Sequence, residues 1–349
     1  MHICVMKKFR SASLGALFAV LSFAPMLASG KVLPLPQKVQ VNMTHVPSFG
    51  YAGLYVAVEK GYFASRGLDV RLSIVRGGDT TYQVAGQTIE FSGGSADSAF
   101  FNSLHRGMPL VLIGSLALNG RDESNNPIVV RKDLYDSGSI TSIAQLKGRR
   151  VANLAPGGIA EYLLSLALAK AKLTVSDLHL VTPMGFSQMV EGFSTKAIEA
   201  ALLAEPFATL SEQRGDIVRL STHHDLGEQM LTIKTTRDYA KAHPEVVENF
   251  LIGYLMGARD LRKNGFYTPE NLAIIQKYTK LDPQVIKKAV LPDIPPDAAL
   301  NTSSLMRQQQ YYLSRGYIKS KSKSNPLLAP DTFIDTSYLK EALATLDAK

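Results

Sequence analysis

The chain reads as an α/β protein divided into two lobes, and three features of the sequence predict this. Up to Thr236, short β-rich runs alternate with longer amphipathic ones, the signature of strands feeding helices. Beyond Thr236 only runs of helical length remain, three of them opening on proline. Two polar stretches, "LNGRDESNNP" (Leu118–Pro127) and "STHHDLGEQ" (Ser221–Gln229), interrupt the alternation. They read as crossings between lobes. One lobe is then expected from residues 31–118 plus 229–349, and the other from 119–228.

In chain order, the first segment is a leader. Lys7, Lys8 and Arg10 give a basic start, Leu14 to Ala24 is mostly apolar, and Ala28-Ser29-Gly30 offers small residues for cleavage. That order is that of a secretory signal. Its apolar core is about half of the ~20 residues a spanning helix needs. Cleavage near residue 30 leaves an exported, periplasmic chain beginning near Lys31, and Met6 competes with Met1 as the true start. Cys4 is the only cysteine and precedes the apolar run, while Lys31 stands where a lipid anchor would need a cysteine. The mature chain therefore holds no thiol, disulfide or Cys-ligated metal. Its roughly 320 residues are long enough to bury a large core and to divide into two domains.

The sequence carries 38 basic and 30 acidic residues; without the leader's three basic residues, 35 remain against 30. So mild an excess argues against a nucleic-acid partner. Lys319, Lys321 and Lys323 are spaced by serines and read as a solvated loop. The positive balance still favours the approach of an anionic solute.

Ten strands are expected: Lys38–Met43, Asp69–Val75, Ile89–Ser92, Leu110–Ser115, Pro127–Arg131, Arg150–Leu154, Leu178–Thr182, Ala197–Leu203, Ile217–Leu220 and Met230–Thr235. Among the helical stretches Ala160–Lys172 is clearest, with a broad leucine and alanine face closed by lysines. Helices are also expected over Pro244–Lys263, Pro269–Lys280, Pro283–Val290 and Ser303–Arg315. Proline at a first-turn position costs nothing there, because the missing N–H would have no helical partner.

Strand-to-helix turns carry the functional signal. In "IEFSGGSADSAFF" (Ile89–Phe101) an apolar run ends in Gly93-Gly94, followed by Ser95 and a helix. Ligands of open α/β sheets sit at such turns, where free N–H groups and the helix dipole favour anionic or carbonyl-bearing groups. Glycine permits positive φ and close approach, and Ser95 either caps the helix or faces a ligand. Similar turns are "NMTHVPSFGYAG" (Asn42–Gly53), "RGGDTT" (Arg76–Thr81), "NLAPGGIAEY" (Asn153–Tyr162), "VTPMGFSQM" (Val181–Met189) and "LLAEPF" (Leu202–Phe207). With the crossings as placed, three belong to each lobe and face one another across a cleft.

Several segments in this order resemble a known family. They are "GLYVAVEKGYFASRGLDVRLSIVRGGD" (Gly53–Asp79), "GQTIEFSGGSAD" (Gly86–Asp97), "RGMPLVLIGS" (Arg106–Ser115), "ITSIAQLKGRRVANLAPGG" (Ile140–Gly158), "KAIEAALLAEPF" (Lys196–Phe207) and "DTSYLKEAL" (Asp335–Leu343). The chain resembles the solute-binding proteins of ABC importers for nitrate, sulfonates, taurine and thiamine-type pyrimidines. The resemblance covers nearly the whole mature chain. It implies a two-lobed periplasmic-binding-protein fold of type II, a ligand cleft between the lobes, no cofactor, and a monomer that delivers its solute to a permease and ATPase at the inner membrane. It places ligand contacts at His45, Phe49, Gly77, Gly78, Ser95, Ala96, Gly157, Gly158 and Glu205. Two departures bear on the ligand. Where the family often has Gly-Ser, this chain has Gly157-Gly158-Ile159, and it has no tryptophan; the first weakens a tight sulfonate clamp and the second a nitrate site.

Each signal has a plainer reading beside it. Phe49, Tyr51, Phe100, Phe101, Phe186 and Phe207 are core by default, with one or two, Phe186 among them, walling the pocket. Glu205 binds an ammonium or hydroxyl of the solute, or pairs with a basic residue across the cleft. His45 bonds to solute or to backbone. Adjacent histidines point apart on most backbones, so His223-His224 reads as a solvated linker rather than a metal site. The related pyrimidine synthases use a cysteine-rich motif, and the mature chain has no cysteine. No GxSxG, HExxH, P-loop or dinucleotide fingerprint appears. The expectation is thus a binder of a small organic, anionic solute such as a sulfonate or carboxylate. The alternatives are a pyrimidine or flavin-type ligand, and a sensory role in place of transport.

Overall fold

The computed structural model describes residues 31–74, 80–86, 88–320, 324 and 326–348. The leader, the turn glycines Gly77 and Gly78, and Lys321 and Lys323 lie outside the described residues.

Among the described residues, ten strands form two sheets. They are β1 (Val39–His45), β2 (Leu68–Ile74), β3 (Phe91–Gly94), β4 (Leu110–Leu118), β5 (Ile128–Arg131), β6 (Arg150–Ala152), β7 (His179–Val181), β8 (Ala200–Leu202), β9 (Ile217–Ser221) and β10 (Gln229–Thr236). The first sheet has the order β2-β1-β3-β10-β4 and the second β7-β6-β8-β5-β9. Within the first, β1 runs parallel to β2 and β3, whereas β10 is antiparallel to β3 and β4. The second repeats this: β6 is parallel to β7 and β8, and β5 is antiparallel to β8 and β9. In each sheet the antiparallel strand is the one that arrives from the other sheet.

The helices are α1 (Ala52–Glu59), α2 (Thr80–Ala85) and α3 (Ser98–His105) around the first sheet, then α4 (Lys132–Asp136), α5 (Ile159–Lys170), α6 (Phe186–Ser194) and α7 (Phe207–Gln213) around the second. After β10 come α8 (Arg237–Ala242), α9 (Pro244–Asp260), α10 (Pro269–Thr279), α11 (Pro283–Lys288), α12 (Thr302–Ser314), α13 (Pro330–Phe333) and α14 (Ser337–Asp347). Of the four proline-led helices, α9, α10 and α11 begin at the prolines the sequence marked, and α13 begins at Pro330.

One face of the first sheet packs Val41, Met43, Phe91, Ile113 and Ile233 against α1, α9 and α14. A Cβ on Gly257 would overlap the carbonyl oxygen of Gly53, so α1 and α9 cross backbone to backbone only because both positions lack side chains. A second core runs from Phe100, Phe101, Leu110 and Leu112 of the first sheet's side to Ile128, Val130, Leu163 and Leu164 of the second, with Leu305 and Tyr312 of α12 between. The two connecting segments, 119–127 and 222–228, are tied together. Ser124 N–H donates to Thr222 O at 2.7 Å and Asn119 N–H to Glu228 O at 2.8 Å. Asn119 also donates to the Asp225 carboxylate and accepts from Asn126 Nδ2 at 2.7 Å.

Two local expectations are corrected. Gly93 and Gly94 are strand residues paired with Ile233 and Thr232, and neither has positive φ. Glycine is needed at 93 because a Cβ would run into the Tyr51 ring and stand 2.9 Å from Leu116 Cδ1. His224 is buried, not solvated: its Nε2 stands 3.4 Å from Asp225 Oδ2. Burial holds the imidazole down at about 4 and pushes the carboxyl of Asp225 up to about 7.

Candidate functional site

The parallel strands of both sheets end in turns that lead into helices, and two of these turns meet. After β6, Asn153–Gly158 leads into α5. Gly157 has φ +68°, the left-handed region open to glycine, and Gly158 is the N-cap with φ −88° and ψ 168°. On the first sheet, β3 is followed by Ser95, Ala96 and Asp97 and then α3. Ser98 N–H donates to Gly157 O at 3.1 Å. A Cβ on Gly157 would stand 2.5 Å from Ser98 Oγ and 3.0 Å from Tyr317 Cγ, so this turn fits against α3 and the C-terminal segment only as glycine.

Glu161, which the sequence reading passed over, holds that turn. Fully buried, it accepts from Gly157 N–H at 3.3 Å, Asn153 Nδ2 at 3.2 Å, Tyr311 Oη at 2.9 Å and Tyr317 Oη at 3.1 Å. Its signal was present: a lone carboxylate in the apolar run "IAEYLLSLALAK". Glu228 plays a similar part at the second crossing. It accepts from Tyr162 Oη at 3.0 Å, from Arg307 Nη2 at 2.5 Å and from the Ser304 hydroxyl.

The other sequence-marked residues separate by role. Asp97, not Ser95, caps α3, accepting from Phe100 N–H at 3.0 Å, because it sits one residue before the helix; Ser95 is half-buried in the turn. Ala96 directs its methyl into the core shared with Phe100 and Phe101. His45 ends β1, buried, with Nδ1 3.0 Å from Tyr55 Oη and edge-on to the rings of Tyr51, Tyr55 and Tyr278. Burial keeps it neutral, with a pKa lowered to about 4. Phe49 is core, packed edge-on against Phe266 with Leu272 and Ile286. Phe186 opens α6, half-buried, its ring 5.7 Å from that of Phe207.

Glu205 takes up the ion-pairing alternative, with a partner in its own sheet. Its Oε1 lies 2.7 Å from Arg219 Nη2 and 3.4 Å from Val290 N, and its Oε2 accepts from Thr209 N–H at 3.1 Å. The pairing partner is on β9 of the same sheet, not across a cleft, and both oxygens are engaged within the protein. A buried carboxylate needs such partners. A surface recess of about 280 Å³ lies at Lys170, Arg219 and Ser221–His223. None of these residues belongs to the strand-end turns, and it is strand-end geometry that defines the candidate site.

Residues 48–265 match the family model described as NMT1/THI5 like. The chain belongs to the NMT1/THI5-like family. Among sequence relatives, this NMT1/THI5-like chain is 27% identical over 286 residues to the "Putative binding protein YtlA" of Bacillus subtilis (strain 168), covering 80% of this chain and 81% of that one. Among solved structures it resembles the periplasmic nitrate-binding protein NrtA from Synechocystis PCC 6803, with TM-score 0.75, 16% identity, and 89% and 90% of the two chains covered. The alkanesulfonate-binding protein SsuA from Xanthomonas axonopodis pv. citri, bound to MOPS, aligns with TM-score 0.65 and 16% identity over 82% and 96%. The fold of these neighbours is the two-lobed, type II periplasmic-binding-protein fold expected from the sequence. An enzyme shares it: the desulfurization enzyme DszB aligns with TM-score 0.60 and 17% identity over 88% and 99%.

Proposed function

We propose that this chain is the exported substrate-binding component of an ABC import system, capturing a small organic anion between two lobes in the periplasm. The observation that carries this is the meeting of strand-end turns from both sheets, Ser98 N–H on Gly157 O. Turns of this kind present helix N-termini to a ligand, and contacts drawn from both lobes make the bound, closed state the favoured one. Family membership and the binding proteins among its neighbours support the same reading. The sulfonate or carboxylate class follows from the helix N-termini and the positive balance of the chain. The absence of cysteine after Cys4 argues against the chemistry of the cysteine-motif synthases.

A second reading has an observation of its own. His45 is neutral and sits among three tyrosine rings, with Tyr55 and Tyr278 stacked at 4.2 Å, surroundings suited to an uncharged heterocycle such as a pyrimidine or flavin precursor. A thermal-shift screen of sulfonates, carboxylates and heterocycles separates the two. Ligand at about 100-fold over its Kd stabilises the native state by roughly 2.7 kcal/mol. Anions raising the melt, with a fall in radius of gyration on saturation, support the proposal. A shift with heterocycles alone favours the second reading. An unchanged radius at saturation, or conversion of the ligand to product, overturns binding by closure.

A further inference from the structure

The first sheet carries a row of polar side chains that the turns do not account for. Thr44 of β1 is in register with Ser92 of β3, and Ser92 with Lys234 of β10. Residues directly opposite one another on adjacent strands share a face, with Cβ atoms about 5 Å apart. Their chain neighbours Met43, Phe91 and Ile233 belong to the core on the opposite face. Thr44, Ser92 and Lys234 therefore line up on the side of Val84, Ala96, Phe100, Phe101 and Leu112. All three are fully buried, and among the described residues Thr44 Oγ1, Ser92 Oγ and Lys234 Nζ have no hydrogen-bond partner.

Such a row is costly as it stands, because buried polar groups are stable only when paired. The contacts that Lys234 does make are weak. Its ammonium lies 5.9 Å from the centroid of the Phe100 ring. Asp97 acts on it through space, but that carboxylate is also committed to the cap of α3. Burial lowers the lysine to about 8 and raises Asp97, so the ammonium stays mainly charged at neutral pH. Tyr312 Oη, also buried and without a hydrogen-bond partner among the described residues, feels the charge of Asp97. The row lies one step inside the strand ends: Thr44 precedes His45, and Ser92 lies two residues before the end of β3.

We propose that Thr44, Ser92 and Lys234 form a buried subsite for a compact anionic group, offering it one ammonium and two hydroxyls side by side from adjacent strands. The group is the carboxylate or sulfonate head of the solute, or a free inorganic anion. The first source rests on the function proposed above. Charge-assisted bonds of this kind are about twice as strong as neutral ones, which makes Lys234 the residue on which affinity depends.

The test measures melting shifts of the mature chain with sodium chloride, sodium sulfate, sodium acetate and sodium ethanesulfonate at matched ionic strength. Wild type, Lys234→Met, Ser92→Ala and Thr44→Val are compared. The wild type should respond to at least one anion. Lys234→Met should weaken that response about ten- to hundredfold and, without added anion, melt higher than wild type, since an unpaired buried charge is gone. Ser92→Ala and Thr44→Val should weaken it several-fold and carry the test if Lys234→Met does not fold. A response to chloride or sulfate alone identifies a free-ion subsite; one to the organic salts alone identifies the solute head. A full wild-type response in Lys234→Met overturns the subsite and leaves the anionic-solute reading standing. A wild type that responds to none of the four salts overturns the subsite, and if neutral heterocycles alone shift its melt in the screen described above, the anionic-solute reading falls with it.

Discussion

Gly157→Ala is expected to weaken solute binding far more than it weakens the fold. The added methyl meets two costs. At φ +68° an L-residue is strained by about 1–2 kcal/mol, and this applies whether the lobes are together or apart. The second cost belongs to the closed arrangement alone, where the Cβ would stand 2.5 Å from Ser98 Oγ and 3.0 Å from Tyr317 Cγ. Forcing a methyl into such a contact costs roughly 1–3 kcal/mol. Parting the turn from α3 relieves the contact to Ser98 but gives up the Ser98–Gly157 bond, about 0.5–1.5 kcal/mol net. The closed state thus loses about 1–2 kcal/mol relative to the open one, a five- to thirtyfold drop in affinity. The melting temperature should fall by only a few degrees, the share due to backbone strain. Calorimetric titration with the identified solute reads the first quantity and scattering in its absence reads the population of open molecules. Ser98→Ala removes the 2.5 Å contact, so Gly157→Ala made on that background should cost less affinity, and the double-mutant cycle isolates the clash. Unchanged affinity in Gly157→Ala, or an equal loss with and without Ser98 Oγ, would refute the reasoning.

Gly158→Ser should be nearly neutral by denaturant titration: a serine N-cap gains a few tenths of a kcal/mol over glycine, set against a Cβ 3.3 Å from Ala155 O. A loss above about 1 kcal/mol would show that the second glycine is required as well. Arg219→Met strands the buried Glu205 carboxylate and should cost about 3–5 kcal/mol, with Glu205→Gln on the same background recovering most of it. For pH, His45 and His224 have folded pKa values near 4 against 6.5 unfolded, so the stability they contribute is full above 6.5 and is lost as pH falls toward 4. Asp225, raised from 3.8 to about 7, acts oppositely, because the folded state holds the extra proton between those values and gains stability on acidification. Melting curves of Asp225→Asn should therefore fall more steeply than wild type between pH 7 and 4, and parallel curves would contradict the assignment.

What could be read from the sequence was set by local periodicity. All ten strands were legible, since β-rich runs bounded by turn residues have few competing readings, and the prolines at residues 244, 269 and 283 marked helix starts without any tertiary information. The misreadings share one physical cause. Gly93 reads as a turn glycine because glycine permits φ > 0; in the fold it is a strand residue emptied to admit the ring of Tyr51, a contact made across the fold. His224 looked solvated in a polar stretch, and its burial comes from the packing of that crossing with its neighbours. Glu205 found its partner fourteen residues on, at a distance in sequence that carries no pattern. Glu161 and Lys234 are the instructive omissions. Glu161 is a lone carboxylate in a largely apolar run, whereas Lys234 lies among threonines in "QMLTIKTT"; both are fully buried. A lone charge inside an apolar run is the local sign of a long-range polar contact, which marks Glu161 and leaves Lys234 without a local signal.

The contact between the two sheets is uneven in cost, and this bears on how the lobes could move. Near α12 the core is continuous: Leu305 and Tyr312 are fully buried between residues of both sheets. Exposing one large apolar side chain costs about 1.5–3 kcal/mol. Two buried carboxylates reinforce this region, Glu228 joining α5 and α12 through Tyr162 and Arg307, and Glu161 joining the turn after β6 to Tyr311 and Tyr317. At the strand-end turns the direct bonds between the two sides are Ser98 N–H on Gly157 O at 3.1 Å and the longer Val290 N–H on Glu205 Oε1 at 3.4 Å, about 1 kcal/mol each at most. A rotation that keeps α12 seated and parts Ser98 from Gly157 breaks the inexpensive contact and spares the costly ones. The connecting segments 119–127 and 222–228, bonded to one another, would then bend as a pair. The free energy needed for that motion is of the order that one solute would supply if it bound to both turns as proposed, whereas parting the sheets at α12 would demand several times more.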